Sequence, residues 1–355
     1  MNSMLEMKRR QRRNILAVIA MMAAVVLLAV LCLFTGSSNM TVTDVIRAVL
    51  GQGTQAQNRI IWKIRMPRVL AAIVAGAGLS VSGLIMQTML GNPMASPSTL
   101  GVSNAAVFGA NLSIIVFAGG FLSTGSNLSN YDVGANPFAT SLIAFAFSTL
   151  SILLILGLCT LRAFSPNVVV LSGMAIGALW TAATTFLQFY ATDVGLSAAV
   201  VWSFGDLGRA TYTTVWIMLA VVSVSIESFM LMSWRYNALL SGEATAKTMG
   251  IRVELLRFIS LLLASVITAV CVSFLGVIGF VGIICPHIVK KVLGQDHRVS
   301  IPATALSGSL LLLFADTLSR SLGGGSALPV GAITSLLGAP FFLAIIFTGR
   351  GKGRC

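Results

Sequence analysis

The stretch RMPRVLAAIVAGAGLSVSGLIMQTMLGNPMASPSTLG, residues 65–101, decides the fold. Arg65 and Arg68 bracket Pro67 at one end of an apolar segment long enough to cross a bilayer. Asn92-Pro93 and Ser96-Pro97 turn the chain at the other end, because each proline pushes its predecessor out of the helical region. A second apolar segment starts at Leu100-Gly101. Small residues recur four apart on both sides of the turn, as Gly76/Ser80, Gly78/Ser82 and Gly101/Ala105/Gly109. That spacing lets helix backbones approach closely in lipid. A lone membrane anchor needs no such surface, so the stretch predicts a helix buried inside a multi-helix membrane protein.

The composition agrees. The chain of 355 residues is 56% hydrophobic and 9% charged, against about 25% charged in soluble domains. Apolar runs of about 20 residues recur throughout, which indicates helices rather than the short alternating strands of a β-barrel. The fold class expected is an all-α polytopic membrane protein with about ten transmembrane helices, at roughly 15–35, 66–90, 100–122, 138–161, 167–190, 213–232, 255–276, 279–293, 301–321 and 329–348. Residues 1–14 are a basic tail, 15–348 the membrane domain and 349–355 a second tail. The first apolar run is too long for a signal-peptide core, which makes it an uncleaved span. The eighth span is short, holds Pro286 and has Gly276, Gly279 and Gly282 near its start, the pattern of a broken helix beside a cavity.

Of the 23 lysines and arginines, sixteen fall on one side of this topology and seven on the other, which puts both termini in the cytoplasm. The net charge of +13 therefore reports topology and anionic lipid rather than nucleic acid. Five of the seven outer cations crowd between Arg47 and Arg68, against the expected bias. Arg65 and Arg68 share a helix face; they either snorkel to headgroups or dock an acidic partner. Asp316 and Arg320, spaced i,i+4 near the outer end of the ninth span, either pair internally or leave Arg320 partly available. Glu227 in the sixth span is either a functional carboxylate or a snorkelling partner of Arg235.

Leu196 to Phe204 is too short to span and predicts a half-helix or surface helix. The long inner connection 233–256 reads first as a solvated loop; the alternative is a short helix over residues 244–249, begun at Ser241-Gly242-Glu243 and ended by Gly250. His287 and His297 lack a second ligand at metal spacing; His287 is expected to bond helix ends and His297 to be solvated. The five cysteines show no paired spacing and read as apolar fillers. Gly349 to Gly353 has the wrong spacing for a phosphate loop, and no other catalytic signature is present. If ATP drives this protein, another chain supplies the ATPase.

Taken together, Arg65-Met66-Pro67-Arg68, Ser82-Gly83, Gln87, Asn92-Pro93-Met94-Ala95, Pro97 and Leu100-Gly101 resemble the permease subunits of iron-siderophore, haem and vitamin B12 ABC importers, the FecCD family. The second half agrees through Leu240 to Gly250, Gly279 to His287 and Gly294 to Arg298. Further agreement comes from Ala315-Asp316 with Arg320, Leu328-Pro329-Val330-Gly331, and Leu337 to Phe342. The likeness covers nearly the whole chain from about residue 40. Cys285 and Lys290-Lys291 depart from the usual residues there.

The resemblance implies a bacterial inner-membrane permease, not itself an enzyme, that binds no cofactor. It would pair with a second copy or a paralogue. Two cytoplasmic ATPase subunits, which use ATP and Mg, would dock on the loop through Ser241, Gly242, Glu243, Ala244, Thr245, Ala246, Met249 and Gly250. An extracytoplasmic substrate-binding protein would dock on Arg65, Arg68 and Arg320. An inner gate is implied near Asn92, Pro93 and Pro97, and around residues 164–168 (Ser165, Pro166 and Asn167 among them). The cargo expected is an iron complex, ferric siderophore or haem, with cobalamin second. An ion-coupled secondary transporter is the alternative, and Glu227 would be its one candidate coupling carboxylate.

Overall fold

The computed structural model describes residues 2–36, 40–118, 137–161, 165–323 and 327–348. Among these residues there are helices and no β-strand. Helix α1 spans Asn2–Phe34, so the expected basic tail is the first turns of a helix. Two short helices follow, α2 (Val42–Val49) and α3 (Gln55–Arg59). Each begins in a capping box, Thr41 with Asp44 and Thr54 with Gln57, which satisfies two orphan backbone donors reciprocally. A π-helical stretch, Ile60–Arg65, leads into α4 (Met66–Leu90). Helix α5 (Val102–Asn111) likewise continues into a π-helical Leu112–Phe117.

Then come α6 (Pro137–Leu161), α7 (Pro166–Phe189), α8 (Asp193–Ser203) and α9 (Tyr212–Leu231). The inner connection forms α10 (Ser233–Leu240) and α11 (Glu243–Thr248). Helices α12 (Val253–Leu275), α13 (Val281–Leu293), α14 (His297–Leu322) and α15 (Val330–Thr348) complete the order. Among the described residues, seven helices are long and apolar enough to cross a membrane. All ten expected spans fall on helices. The third and tenth coincide with shorter apolar helices, and the eighth with the 13-residue α13. Helix α8 is the short helix expected after the fifth span.

Helix α4 is the centre of the bundle. It is buried along nearly its whole length and packs against α14, α12, α13 and α9. The small residues explain how. A Cβ on Gly76 would overlap the backbone of Gly308 on α14, and one on Gly83 would overlap Gly282 on α13. Ser80 Oγ donates to the Thr304 carbonyl at 2.8 Å, and Ser309 Oγ to the Ile73 carbonyl at 2.8 Å. The hydroxyls thus bond across helices that glycine has allowed to touch. By contrast α1, α7 and α9 leave large apolar side chains exposed, among them Leu27, Phe186 and Val224. That surface suits lipid or a partner helix rather than water.

The break before α13 carries Phe280 at φ +64°, the one positive-φ residue other than glycine among the described residues. The Phe280 ring lies where a Cβ on Gly338 would sit, so Gly338 makes the room that holds this strained residue. The main apolar core draws on helices from α1 (Val25) to α15 (Ile333). Cys32, Cys159, Cys271 and Cys285 are buried, as fillers should be. The expected tail at 349–355, the 349–353 glycine run and Phe164 of the expected gate lie outside the described residues.

Candidate functional site

Three places in the bundle hold the residues singled out by the sequence. The first is the end of α4 where the chain enters it. Pro67 sits in the first turn of α4, where its missing N–H costs nothing. The helix then sets Arg65 and Arg68 beside Asp316 and Arg320 of α14. Arg68 Nε donates to Asp316 Oδ1 at 2.7 Å, and Arg320 Nη2 lies 2.9 Å from Asp316 Oδ2. Arg68 also lies 3.7 Å from the half-exposed carboxylate of Asp206. Arg320 Nη1 donates to the carbonyls of Cys32 (3.0 Å) and Thr35 (2.6 Å), and Arg65 Nη1 to that of Leu33 (2.5 Å). Cations therefore cap the negative end of α1.

Structure and expectation part over exposure here. The three arginines expected to dock a partner do meet at one end of the bundle, yet each is buried: Arg65 is 5% exposed, Arg68 9%, and the Arg320 side chain 7%. Their guanidiniums are engaged within the chain, and the internal pairing of Asp316 with Arg320 is present. Exposed cations at the same end are Arg47, Arg59 and Lys63, on α2, α3 and the π-helical stretch.

The second place is a cavity of about 730 Å³ between the Asn92–Thr99 turn, α5 and α7. Gly101, at φ +71°, packs on Gly173 and Gly177 and brings the two helices together. Asn104 Nδ2 donates to the Gly177 carbonyl (3.2 Å) and Thr181 Oγ1 (3.1 Å). Asn92, Ser98, Thr99, Asn104, Thr181 and Thr185 supply the polar lining, and no lining residue is ionisable. Of the expected gate, Asn92 lines the cavity. Pro93 and Pro97 shape the turn, and Ser165 caps α7 through the Val168 amide, with Pro166 in its first turn and Asn167 exposed.

The third place is the opposite end of α4. Helix α11 starts without a side-chain cap, at Gly242 (φ +109°), and Gly250 (φ +80°) follows it, both conformations that favour glycine. Ser241, Gly242, Ala244, Thr245, Met249 and Gly250 are exposed, whereas Ala246 is fully buried and anchors α11 instead of facing outward. Glu243 Oε2 lies 2.7 Å from Arg257 Nη2, and its Oε1 lies 3.1 Å from Lys247. Those bonds, Arg257's first and then Lys247's, hold the Glu243 carboxyl below its ordinary pKa. Arg257 Nε in turn donates to the Met89 carbonyl at 3.1 Å.

His297 corrects the sequence expectation. It is fully buried rather than solvated, with Nε2 2.9 Å from Thr88 Oγ1 and Nδ1 2.9 Å from Asn237 Oδ1. Asn237 Nδ2 donates to Asp296, the N-cap of α14. His287 makes no hydrogen bond among the described residues. Glu227 is exposed on the outside of α9, and Arg235 lies over the Trp234 ring instead of pairing with it. Asn237 and Arg257 carry no local signal in the sequence, because their partners lie far along the chain.

Residues 23–348 match the FecCD transport family. The chain belongs to that family. It is a multi-pass membrane protein, and its FecCD relatives span almost its full length. A chain from Methanocaldococcus jannaschii named as an ABC transporter permease is 44% identical, over 94% of this chain and 95% of its own. The hemin transport system permease of Yersinia pestis is 35% identical, over 93% and 96%. A vitamin B12 import system permease of Shigella boydii is 31% identical, over 97% and 98%. Among solved structures, an inward-facing metal-chelate type ABC transporter superposes with a TM-score of 0.79 at 25% identity, covering 93% of this chain and 98% of that one.

Proposed function

We propose that this FecCD chain is the membrane permease subunit of an ABC importer and carries an iron complex, haem or a ferric siderophore, into the cytoplasm. Cobalamin is the alternative cargo. The observation that carries the proposal is the family match over residues 23–348, with relatives named for hemin and vitamin B12 transport. The chain would work as a pair, with its own copy or a paralogue. Two ATPase subunits would dock at Ser241 to Gly250, on the exposed face of α11. ATP binding and hydrolysis would rock the helices and open the cavity to alternate sides.

The uncharged, hydroxyl-bearing cavity supports a pathway that lets cargo pass without holding it tightly. A substrate-binding protein would deliver the cargo to the arginine end. Arg68 and Arg320 share the one fully buried carboxylate of Asp316 there, and Arg65 is bonded to the Leu33 carbonyl, so the end keeps an excess of positive charge for an acidic partner. Because all three are buried, we place first contact on the exposed Arg47, Arg59 and Lys63.

The test is uptake in proteoliposomes holding this chain, its co-expressed ATPase and its binding protein, with radiolabelled haem, ferric siderophore and cobalamin offered in turn. Uptake of an iron complex that requires ATP on the ATPase side is expected. ATP-independent uptake that Glu227→Gln abolishes would sink the importer in favour of an ion-coupled transporter.

A further inference from the structure

We infer that the last turn of α4 is where movement of the ATPase-docking loop enters the gate, and that Arg257 and Asn237 are the positioning residues that connect them. The inference rests on the docking of the ATPase at α11 proposed above. Gln87, Thr88 and Met89 are each gripped from a different helix, immediately before Gly91 ends α4 and the Asn92–Thr99 turn begins to line the cavity. Lys290 of α13 donates to Gln87 Oε1 at 3.1 Å. His297 of α14 bonds Thr88 Oγ1, and its other ring nitrogen bonds Asn237 of α10. Arg257 of α12 donates to the Met89 carbonyl, and its other arm holds Glu243 of α11.

Two of these three grips continue into the inner loop. Glu243–Arg257–Met89 and Asn237–His297–Thr88 are struts of two contacts each, and both end on adjacent residues of one helical turn. Arg257 is 6% exposed and His297 fully buried, so neither strut is a loose surface contact that water could replace. Glu243 is half-exposed at the other end, where α11 presents its outer face. A displacement of α11 toward or away from the bundle moves the Arg257 guanidinium. The guanidinium caps a carbonyl at the C-terminal end of α4, where a cation is favoured and its loss leaves an orphan acceptor. The turn that follows carries Asn92 into the cavity. A guanidinium suits this role because its fork of donors reaches two partners at once, which a lysine ammonium on Glu243 would not reproduce.

The experiment measures cargo transported per ATP hydrolysed, for the complex of this chain with its co-expressed ATPase and binding protein in proteoliposomes. Arg257→Gln should lower that ratio about tenfold, the scale for removing one member of a coupling network, while the ATPase still co-purifies and hydrolyses ATP. Arg257→Lys should fall between the two. The exchange Glu243→Arg with Arg257→Glu restores the ion pair but not the bond to Met89, so it should stay uncoupled; full recovery would overturn the inference. An unchanged ratio in both Arg257→Gln and Asn237→Ala would also overturn it, with the docking proposal left standing. Failure of the ATPase to co-purify with the wild-type chain would overturn docking itself, and the inference with it.

Discussion

Asp316 is fully buried and takes Arg68 on one oxygen and Arg320 on the other. Replacing it with asparagine would leave two guanidiniums in the interior without their shared counter-charge. Loss of one partner from a buried pair costs about 3–5 kcal/mol, so Asp316→Asn should sharply lower the thermal unfolding midpoint of the purified chain. Asp206→Asn, at 3.7 Å from Arg68 and half-exposed, should cost less than about 1 kcal/mol and barely move the midpoint. Equal effects would show that the cluster does not depend on Asp316. Glu243 gives a residue-scale dependence on pH. Its carboxyl is held below the ordinary value by Arg257 and Lys247. The sign follows: the pairing stabilises fully above the unfolded-state pKa and is lost as pH falls through the depressed folded value. Hydrogen exchange of α11 should therefore quicken as pH drops through and below the ordinary glutamate range, after correction for intrinsic exchange. Glu243→Gln should flatten that profile; an unaltered profile would mean that another group titrates.

At the scale of the element, helix α4 owes its place to side chains that are missing. Gly83→Ala would drive a Cβ into the Gly282 backbone, where neither helix has a flexible side chain to move aside. Overpacking of this kind costs about 1–3 kcal/mol, visible as a lower unfolding midpoint and a poorer yield of monodisperse protein. Gly157 in α6 is the control, because nothing lies within 4 Å of a Cβ there. Gly157→Ala should be neutral or stabilise by up to about 1 kcal/mol through helix propensity. If both substitutions behave alike, close backbone approach is not what holds α4. The spacing of small residues was legible in the sequence because it is local and periodic. The partners of those residues on α13 and α14 were not, since they lie some two hundred positions away.

For the whole molecule, the distribution of charge makes the remaining prediction. Arg47, Arg59 and Lys63 are exposed at the arginine end, whereas Arg65, Arg68 and Arg320 are committed inside. Exposed charges act mainly on encounter, by steering that salt screens. Changing the three exposed cations to glutamate should slow association of the binding protein by about tenfold at low salt, with a smaller effect at high salt. Surface plasmon resonance on the nanodisc-embedded complex reads this directly. Unchanged association at every ionic strength would move first contact elsewhere on that end. Uptake assays on the same variants would separate a docking defect from a folding defect, because ATPase activity without the binding protein should persist.

The amino-acid sequence alone determined the membrane class, the helical spans, the burial of α4, a short helix after the fifth span, and the family resemblance. These follow from hydropathy, small-residue spacing, turn residues and motif order, all of which act over a few turns of one helix. Tertiary structure alone decided which charges face inward. It joined Arg68 to Asp316 across 248 positions, buried His297 between Thr88 and Asn237, and brought Arg257 to the Met89 carbonyl. A residue's own stretch sets whether it is helical. What its side chain meets depends on how separate helices pack, and in lipid that is settled by close contact and by the need to satisfy every buried polar group.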